Sequence, residues 1–245
     1  MKAMILAAGL GSRLRPLTDE TPKALLKVTG KPLLSYAIEK LAAVGVTDII
    51  VNAHHHAEQI ERYVTENPYP DINLFLSDEK DQLLNTGGAL KKAQWFFAPD
   101  ENFFLYNADI LTNINLLEMM DYHLRNNALA TLAVSERITQ RYFLFDEQNI
   151  LRGWTNIKTG ELIPESLIAA QYNKLAFSGI HLINSKLFSM IEKTGTFSIV
   201  PEYLRLCRNH TIMGYNHTGS LWLDIGKPEF FSEAEFFINK LSDTE

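Results

Sequence analysis

The feature that most constrains this chain is a short apolar segment that ends abruptly in glycines. Residues 3–8 are apolar, and Gly9-Leu-Gly11-Ser-Arg13 follows at once. An apolar run of this length, bounded by glycines, is typical of a buried strand that leads into a tight turn. Because glycine has no Cβ, such a turn lets backbone N–H groups approach a phosphate. The segment therefore predicts a sheet-based fold with an anion site at the end of its first strand.

Basic residues cluster around this turn, although the whole chain is acidic. The formal net charge is −6 over 245 residues, whereas the first 31 residues hold six basic side chains against two acidic ones. The negative total argues against a general nucleic-acid surface. A locally positive cleft in an acidic protein attracts a small polyanion instead.

Two better-known phosphate-binding loops do not fit the spacing. A dinucleotide-binding loop needs a small residue three places after its second glycine, where this chain has Leu14. The Gly-Lys-Ser/Thr ending of a kinase-type loop does not occur here. What remains is Gly-x-Gly-x-Arg followed by Thr21-Pro22-Lys23, with Arg13 and Lys23 as candidate phosphate-binding cations.

Further along the chain, apolar strands alternate with amphipathic helices. Strands are predicted at 48–52, 72–77 and 103–107, and the alternation favours an α/β fold with a Rossmann-like, mixed and mostly parallel sheet flanked by helices. Ligands of such sheets bind beyond the carboxyl ends of the strands. Asp109 follows one of these ends, where it either holds a divalent metal or caps the next turn. Residues 142–154 are predicted to form an antiparallel hairpin, an insertion for the second substrate.

Two glycine-containing stretches suggest ligand contacts. Residues 86–88 (Thr-Gly-Gly) are predicted to begin a helix, with Thr86 as the N-cap and free N–H groups behind it. Gly179 interrupts the strand predicted at 174–184, where it marks either a bulge or the close approach of a ligand or a neighbouring backbone.

The last informative stretch is Trp222-Leu-Asp224. Its alternation places Trp222 and Asp224 on one face, from which Asp224 is able to meet Asp109 across the site. A final helix is predicted from Pro228, with its buried stripe at Phe230, Ala234, Phe237 and Leu241.

The remaining features predict an ordinary soluble domain. The adjacent His54, His55 and His56 are interpreted as a polar loop, because neighbouring histidines rarely converge on one metal. The single cysteine, Cys207, lies on an apolar helix face, which favours core packing and is compatible with a reducing cytoplasm. We find no signal peptide and no apolar run long enough to cross a membrane.

Taken together, these stretches resemble the sugar-1-phosphate nucleotidyltransferase family over essentially the whole chain. The pieces that carry the resemblance are Gly9-Leu-Gly11-Ser-Arg13, Pro22-Lys23, Thr86-Gly87-Gly88, Asn107-Ala-Asp109, Phe177-Ser-Gly179 and Trp222-Leu-Asp224-Ile-Gly226. The resemblance implies one domain spanning 1–245, as a monomer or small homo-oligomer. Residues 1–127 would mainly bind the nucleotide, 128–227 the sugar phosphate, and 228–245 would form the C-terminal helix.

The resemblance also implies the roles of individual residues. A nucleoside triphosphate and a sugar 1-phosphate would be the substrates, and Mg²⁺ the cofactor, held by Asp109 and Asp224. The catalytic residues would be Arg13, Lys23, Asp109 and Asp224. The nucleotide-binding residues would be Ala7, Ala8, Gly9, Gly11, Ser12, Arg13, Lys23, Asn85 and Gly88. The sugar-phosphate-binding residues would be Lys23, Gly179 and Arg141, the last of these either meeting a carboxylate on the sugar or lying on the surface.

Within the family, the stretches are most similar to those of N-acetylmuramate-1-phosphate uridylyltransferases. Mannose-1-phosphate guanylyltransferases and glucose-1-phosphate thymidylyltransferases are close rivals, and choline-phosphate cytidylyltransferases fit less well. The Glu-Lys-Pro motif by which many relatives hold the sugar does not occur here, and Asn85 stands where the muramate enzymes tend to carry Glu. A catalytically silent sugar-nucleotide sensor is the alternative of a different class, but such a protein would be expected to lose Lys23 or a metal-binding aspartate.

Overall fold

The central sheet begins with the apolar segment at the start of the chain. In the computed structural model, which describes residues 1–99, 101–226 and 228–242, strand β1 (Lys2–Leu6) lies between two parallel strands. Ala3 and Ile5 pack into one core cluster, while Met4 packs into another on the opposite face. Both faces of β1 are therefore covered, which explains why this strand is apolar throughout.

The other elements follow in chain order. They are β2 (Lys27–Val28), β3 (Lys31–Pro32), α1 (Leu33–Ala42), β4 (Asp48–Ala53), α2 (Ala57–Glu66), β5 (Asn73–Asp78), α3 (Asn85–Lys92), β6 (Asn102–Asn107), β7 (Ile110–Thr112), α4 (Leu116–Arg125), β8 (Ala130–Ser135), β9 (Arg141–Phe145), β10 (Leu151–Asn156), β11 (Glu161–Ile163), β12 (Asn173–Asn184), α5 (Leu187–Met190), α6 (Ile199–Leu206), β13 (Ile212–Asn216), β14 (Trp222–Asp224) and α7 (Pro228–Ser242). Short 3₁₀ turns at Ser12–Leu14 and Lys23–Leu25 flank the loop after β1.

The sheet is mixed, and mostly parallel in its centre, as predicted. Strands β5, β4, β1 and β6 are parallel neighbours, and β12 runs antiparallel to both β6 and β8. Strands β8 and β13 therefore point the same way as the first four. The antiparallel extension β9–β10–β11 joins the sheet through the first residues of β12, so the hairpin predicted at 142–154 is confirmed.

Two helices, α4 and α7, pack against the core through one face. In α4, Leu116, Met119 and His123 form the buried face, while Leu117 and Leu124 are exposed. The final helix forms, and its Ala234 is buried against a small cluster. The last three residues of the predicted segment 228–245 lie outside the described residues. No helix in the described part of the chain has the length and apolarity needed to span a membrane.

Candidate active site

The predicted site lies where the parallel strands end. A cleft of about 400 Å³ opens at the carboxyl ends of β1, β4, β5 and β6. Its lining includes Ala8, Gly9, Asn52, Glu79, Asn85, Asn107 and Asp109. Three residues predicted to contact the nucleotide (Ala8, Gly9 and Asn85) therefore share this cleft with Asp109.

The glycine loop needs one of its two glycines for a conformational reason. Gly11 has a φ of 62°, and a Cβ there would lie only 2.7 Å from Cγ2 of Thr18. The Thr18 hydroxyl donates a hydrogen bond of 2.8 Å to the Gly11 carbonyl oxygen, which fixes the turn. The turn then presents the exposed side chains of Ser12 and Arg13 at the rim of the site. This arrangement is compatible with the predicted phosphate-binding loop.

Lys23 brings the two aspartates together. Its ammonium group forms an ion pair with Asp109, and its Nζ lies 4.0 Å from Oδ1 of Asp224. Asp109 follows β6, whereas Asp224 ends β14, which pairs with β7 so that Asp224 lies opposite Ile110. The backbone N–H of Ile225 donates to the Asp109 carbonyl oxygen at 2.9 Å. Two carboxylates that are more than a hundred residues apart in sequence therefore meet, as predicted, and Lys23 lies close to both.

The environment of Asp224 is unusual for a carboxylate. Burial raises its pKa, and the neighbouring Asp109 raises it further, while Lys23, Arg13 and Arg137 oppose the shift. Its Oδ1 oxygen is buried without a hydrogen-bond partner. Gly226 provides the space, since a Cβ there would lie 2.8 Å from that oxygen.

These residues satisfy a test for a divalent cation. A buried carboxylate oxygen without a hydrogen-bond partner, close to a second carboxylate, belongs to the hard-oxygen donor set that Mg²⁺ prefers. Three such ligands do not converge anywhere in the described part of the chain, so the protein offers two and leaves further positions to phosphate oxygens or water. Asp109 and Asp224 therefore fit the predicted cofactor.

Two residues that hold the cleft were missed by the sequence analysis. The backbone N–H of Ala7 donates to Oδ1 of Asn52 (2.7 Å), and Nδ2 of Asn52 donates to Oε1 of Glu79 (2.7 Å). The other carboxylate oxygen of Glu79 accepts from the backbone N–H of Leu84 at 3.0 Å. This set of hydrogen bonds, the Asn52–Glu79 bridge, connects the ends of β1, β4 and β5 to the start of α3. Polar residues at the ends of buried strands were the available signal.

The start of α3 differs from the prediction. The helix begins at Asn85 rather than after Thr86, and the hydroxyl of Thr86 accepts from the backbone N–H of Ile199. The N–H groups of Gly87 and Gly88 both donate to the Phe197 carbonyl oxygen (2.9 and 3.1 Å). The expectation of an N-cap at Thr86 with free N–H groups behind it is therefore wrong, because the segment before α6 binds them.

Gly88 has a steric reason to be glycine. A Cβ at this position would lie 2.1 Å from the Gly195 carbonyl oxygen. Close backbone packing explains the residue without a ligand. Its predicted contact with the nucleotide remains a prediction.

Gly179 forms a bulge in β12. Its φ is 79°, and the pairing of β12 with β8 shifts register between Phe177 and His181. A Cβ at Gly179 would lie 2.9 Å from Nδ2 of Asn107, at the end of β6. The bulge alternative is therefore confirmed, and it brings β12 against the active-site edge of the sheet.

Arg141 lies away from the aspartates, at the start of β9. It is exposed and lines a second cavity of about 540 Å³ between the antiparallel extension and α6. Apolar side chains form much of its wall, and Arg205 and Arg208 lie at the same cavity. The segment before α6 separates this cavity from the cleft, since Thr196 lines the cleft and Ser198 lines the cavity.

The histidine loop and the cysteine have structural roles. Nδ1 of His54 is hydrogen-bonded to the Glu79 carbonyl oxygen, and His56 precedes α2 and is hydrogen-bonded to the Asp19 carbonyl oxygen. Cys207 is buried in a core cluster, and burial raises the pKa of its thiol. The prediction of core packing for Cys207 is confirmed.

Comparison with known proteins decides the family. Residues 2–148 match the nucleotidyl transferase family. This chain belongs to that family. It is 31% identical over 240 residues to an N-acetylmuramate alpha-1-phosphate uridylyltransferase from Neisseria meningitidis, and the match covers 96% of this chain and 97% of the relative. The sugar-1-phosphate nucleotidyltransferases are enzymes, so the predicted class is confirmed.

More distant nucleotidyltransferases match as well. A mannose-1-phosphate guanyltransferase from Yarrowia lipolytica is 28% identical over 246 residues, a match covering 99% of this chain but 65% of the relative's length. Among solved structures, HddC from Yersinia pseudotuberculosis in complex with GMP-PN has a TM-score of 0.76 at 21% identity. That match covers 97% of this chain and 99% of HddC, which supports the same fold.

Proposed function

We propose that this enzyme transfers the uridylyl group of UTP to N-acetylmuramate 1-phosphate, with Mg²⁺ as cofactor. The observation that carries the proposal is the end-to-end match to the uridylyltransferase from Neisseria meningitidis, whereas the guanyltransferase is matched over 65% of its length. The second candidate is the transfer of a guanylyl group from GTP to mannose 1-phosphate, because the match to the guanyltransferase covers 99% of this chain.

The reaction requires alignment more than proton transfer. A phosphate oxygen of the sugar 1-phosphate attacks the α-phosphorus of the triphosphate, the bond to the bridging oxygen breaks, and pyrophosphate leaves. A phosphate monoester is already anionic at neutral pH, so no general base is needed. The protein contributes by placing the two phosphates in line and by stabilising the negative charge that builds up between them.

The described side chains include the cations that would balance this negative charge. Gly11, Ser12 and Arg13 would hold the β- and γ-phosphates through N–H groups and the guanidinium. Lys23 has a largely buried ammonium group, with 12% of its side chain exposed, and would bridge the α-phosphate and the incoming phosphate. Asp109 and Asp224 would hold Mg²⁺, which neutralises phosphate charge and gathers the reacting groups when it is bound.

The second cavity is the reason for favouring an acidic sugar. Arg141 is exposed on its rim, and three arginines (Arg141, Arg205 and Arg208) line this cavity against one glutamate, Glu161. N-acetylmuramate differs from N-acetylglucosamine by a lactyl group, which adds a carboxylate and a methyl group. The guanidinium of Arg141 would bind the carboxylate of the lactyl group, and the apolar wall formed by Trp154 and Val200 would contact its methyl group.

A pyrophosphate-release assay tests the proposal. The four nucleoside triphosphates are combined with a panel of 1-phosphates of N-acetylmuramate, N-acetylglucosamine, mannose and glucose, with Mg²⁺. We expect UTP with N-acetylmuramate 1-phosphate to give the highest kcat/KM. A preference for GTP with mannose 1-phosphate would support the second candidate. If no pair released pyrophosphate while ligands still raised the melting temperature, the protein would be a sensor.

Arg141→Ala isolates the role of the lactyl group. We expect the KM for N-acetylmuramate 1-phosphate to rise on the order of tenfold, since a hydrogen bond to a charged group is worth about 1.5–3 kcal/mol. The KM for N-acetylglucosamine 1-phosphate should not change, because that sugar has no carboxylate. Equal losses for both sugars would contradict the assignment.

A further inference from the structure

Besides Lys23 and Arg13, a third cation lies near Asp224, and neither the sequence motifs nor the predicted roles include it. Arg137 lies between β8 and β9, and its guanidinium lies 4.2 Å from the centre of the Trp222 ring. One of its Nη groups donates to the Phe177 carbonyl oxygen. Two contacts from different strands therefore hold the guanidinium in one place.

These contacts place Arg137 beside the reacting groups. Trp222 and Asp224 lie on the same face of β14, and Nε1 of Trp222 donates to the Ser178 carbonyl oxygen at 2.8 Å. Phe177 and Ser178 belong to the β12 bulge next to Asn107.

The hydrogen bonding of Arg137 is incomplete. Its Nε is buried without a partner, and no carboxylate lies within 4 Å of the guanidinium in the described part of the chain. By contrast, the ammonium of Lys23 is engaged by two aspartates. An unpaired, partly buried charge and an unsatisfied donor both cost free energy, and an anionic ligand would recover that cost.

We propose that Arg137 binds the phosphate of the sugar 1-phosphate and holds it next to Lys23 for attack. The proposal rests on the proposed nucleotidyl transfer, but not on the identity of the base or the sugar. The elements that hold each cation favour the acceptor phosphate. Arg137 is held by the β12 bulge and by Trp222 of β14, whereas the glycine loop predicted to bind the triphosphate follows β1. A planar guanidinium fixed by stacking is suited to bind two oxygens of one phosphate.

The test uses Arg137→Met and Arg137→Lys with whichever substrate pair the wild-type enzyme turns over. Met keeps an unbranched stem over Trp222 and removes the charge, and Lys restores the charge without the planar group. We expect Arg137→Met to raise the KM for the sugar 1-phosphate at least tenfold and to lower kcat, with the KM for the triphosphate unchanged. Arg137→Lys should recover part of the loss. Arg125→Met, which alters an exposed arginine at the end of α4, is the matched control and should behave like the wild type.

Inorganic phosphate provides a readout that does not depend on the sugar. At saturating triphosphate it should inhibit the wild type competitively against the sugar 1-phosphate, and Arg137→Met should weaken this inhibition about tenfold. An increase in the KM for the triphosphate alone, or an unchanged KM for the acceptor in a folded variant, would overturn the proposal. If the wild type releases no pyrophosphate with any pair, the proposed function has failed instead. A melting temperature close to that of the wild type excludes loss of fold as the cause.

Discussion

The two halves of the active site satisfy their polar groups in different ways. On the nucleotide side, the Asn52–Glu79 bridge and the ion pair of Lys23 connect groups of the protein to one another. On the proposed acceptor side, Nε of Arg137 is buried without a hydrogen-bond partner, and Arg141 is one of three arginines that line the second cavity against a single glutamate. A side that is satisfied internally is pre-organised, whereas a side with unpaired cations depends on its ligand for charge balance. In the proposed reaction, the first half would therefore provide a pre-organised site for the nucleotide, and the second half would determine the choice of acceptor.

The largest expected effect comes from the residue at which the two halves meet. Lys23→Ala should lower kcat on the order of 10²–10⁴-fold, because the ammonium no longer stabilises charge between the two phosphates. The measurement is pyrophosphate release at saturating substrates. Lys27→Ala, which alters an exposed lysine on β2, serves as the control. Near wild-type turnover of Lys23→Ala would show that the two halves do not share this cation.

A buried histidine connects the two halves of the molecule by hydrogen bonds in the core, and the pH dependence of stability tests this connection. His123 on α4 is hydrogen-bonded to Thr131 of β8 and to Asn102 of β6, and burial lowers its pKa to about 4. The unfolded chain binds this proton near pH 6.5, so stability is fully present above that pH and is lost as the pH falls towards 4. The loss should be on the order of 2–3 kcal/mol.

The His123→Gln variant should remove most of this acid sensitivity. Urea unfolding between pH 7 and pH 4 measures the slope, which is informative even if the variant is less stable at every pH. An unchanged slope would assign the sensitivity to other buried histidines, such as His181 or His217, whose pKa values are also lowered by burial.

Two glycines that are predicted to contact the nucleotide should respond differently to an added methyl group. Gly88→Ala should destabilise the fold by about 1–3 kcal/mol, because its Cβ would collide with the Gly195 carbonyl oxygen. Gly9→Ala should leave the free energy of unfolding nearly unchanged, since nothing lies within 4 Å of a Cβ there, and should act on triphosphate binding instead. Urea unfolding and the KM for the triphosphate separate the two cases. Equal stability of the two variants would contradict the packing role of Gly88.

The smallest change in activity is expected from a substitution in the Asn52–Glu79 bridge. In Glu79→Gln, one amide hydrogen-bond donor faces either Asn52 Nδ2 or the Leu84 N–H, so one buried donor loses its acceptor at a cost of about 1–3 kcal/mol. We expect a lower melting temperature and a severalfold higher KM for the triphosphate, with the KM for the sugar 1-phosphate unchanged. Glu58→Gln, on the exposed first turn of α2, is the control. A selective change in the acceptor KM would reverse the proposed division of labour.

Sequence patterns predicted one side of the site better than the other. The glycine loop, Lys23 and the aspartate after β6 are close together in sequence or follow apolar strands, so local rules identified them. The pairing of β14 with β7 confirmed the less local expectation that Asp224 meets Asp109. Arg137 could not be found in this way, because its role depends on a bulge and a tryptophan from distant segments. The prediction for the start of α3 was wrong for the same reason, since the Phe197 carbonyl oxygen that accepts from Gly87 and Gly88 lies far from them in sequence.

The segment before α6 has a consequence for how specificity can change. The Phe197 carbonyl oxygen of this segment accepts hydrogen bonds from the first turn of α3. The neighbouring Thr196 lines the nucleotide cleft, and Ser198 lines the second cavity. In the proposed reaction, the donor and acceptor pockets would be two sides of one wall. A substitution that reshaped this wall for a new sugar would then also shift the backbone beside the base. Base and sugar preferences would thus evolve together, as a pair, rather than one at a time.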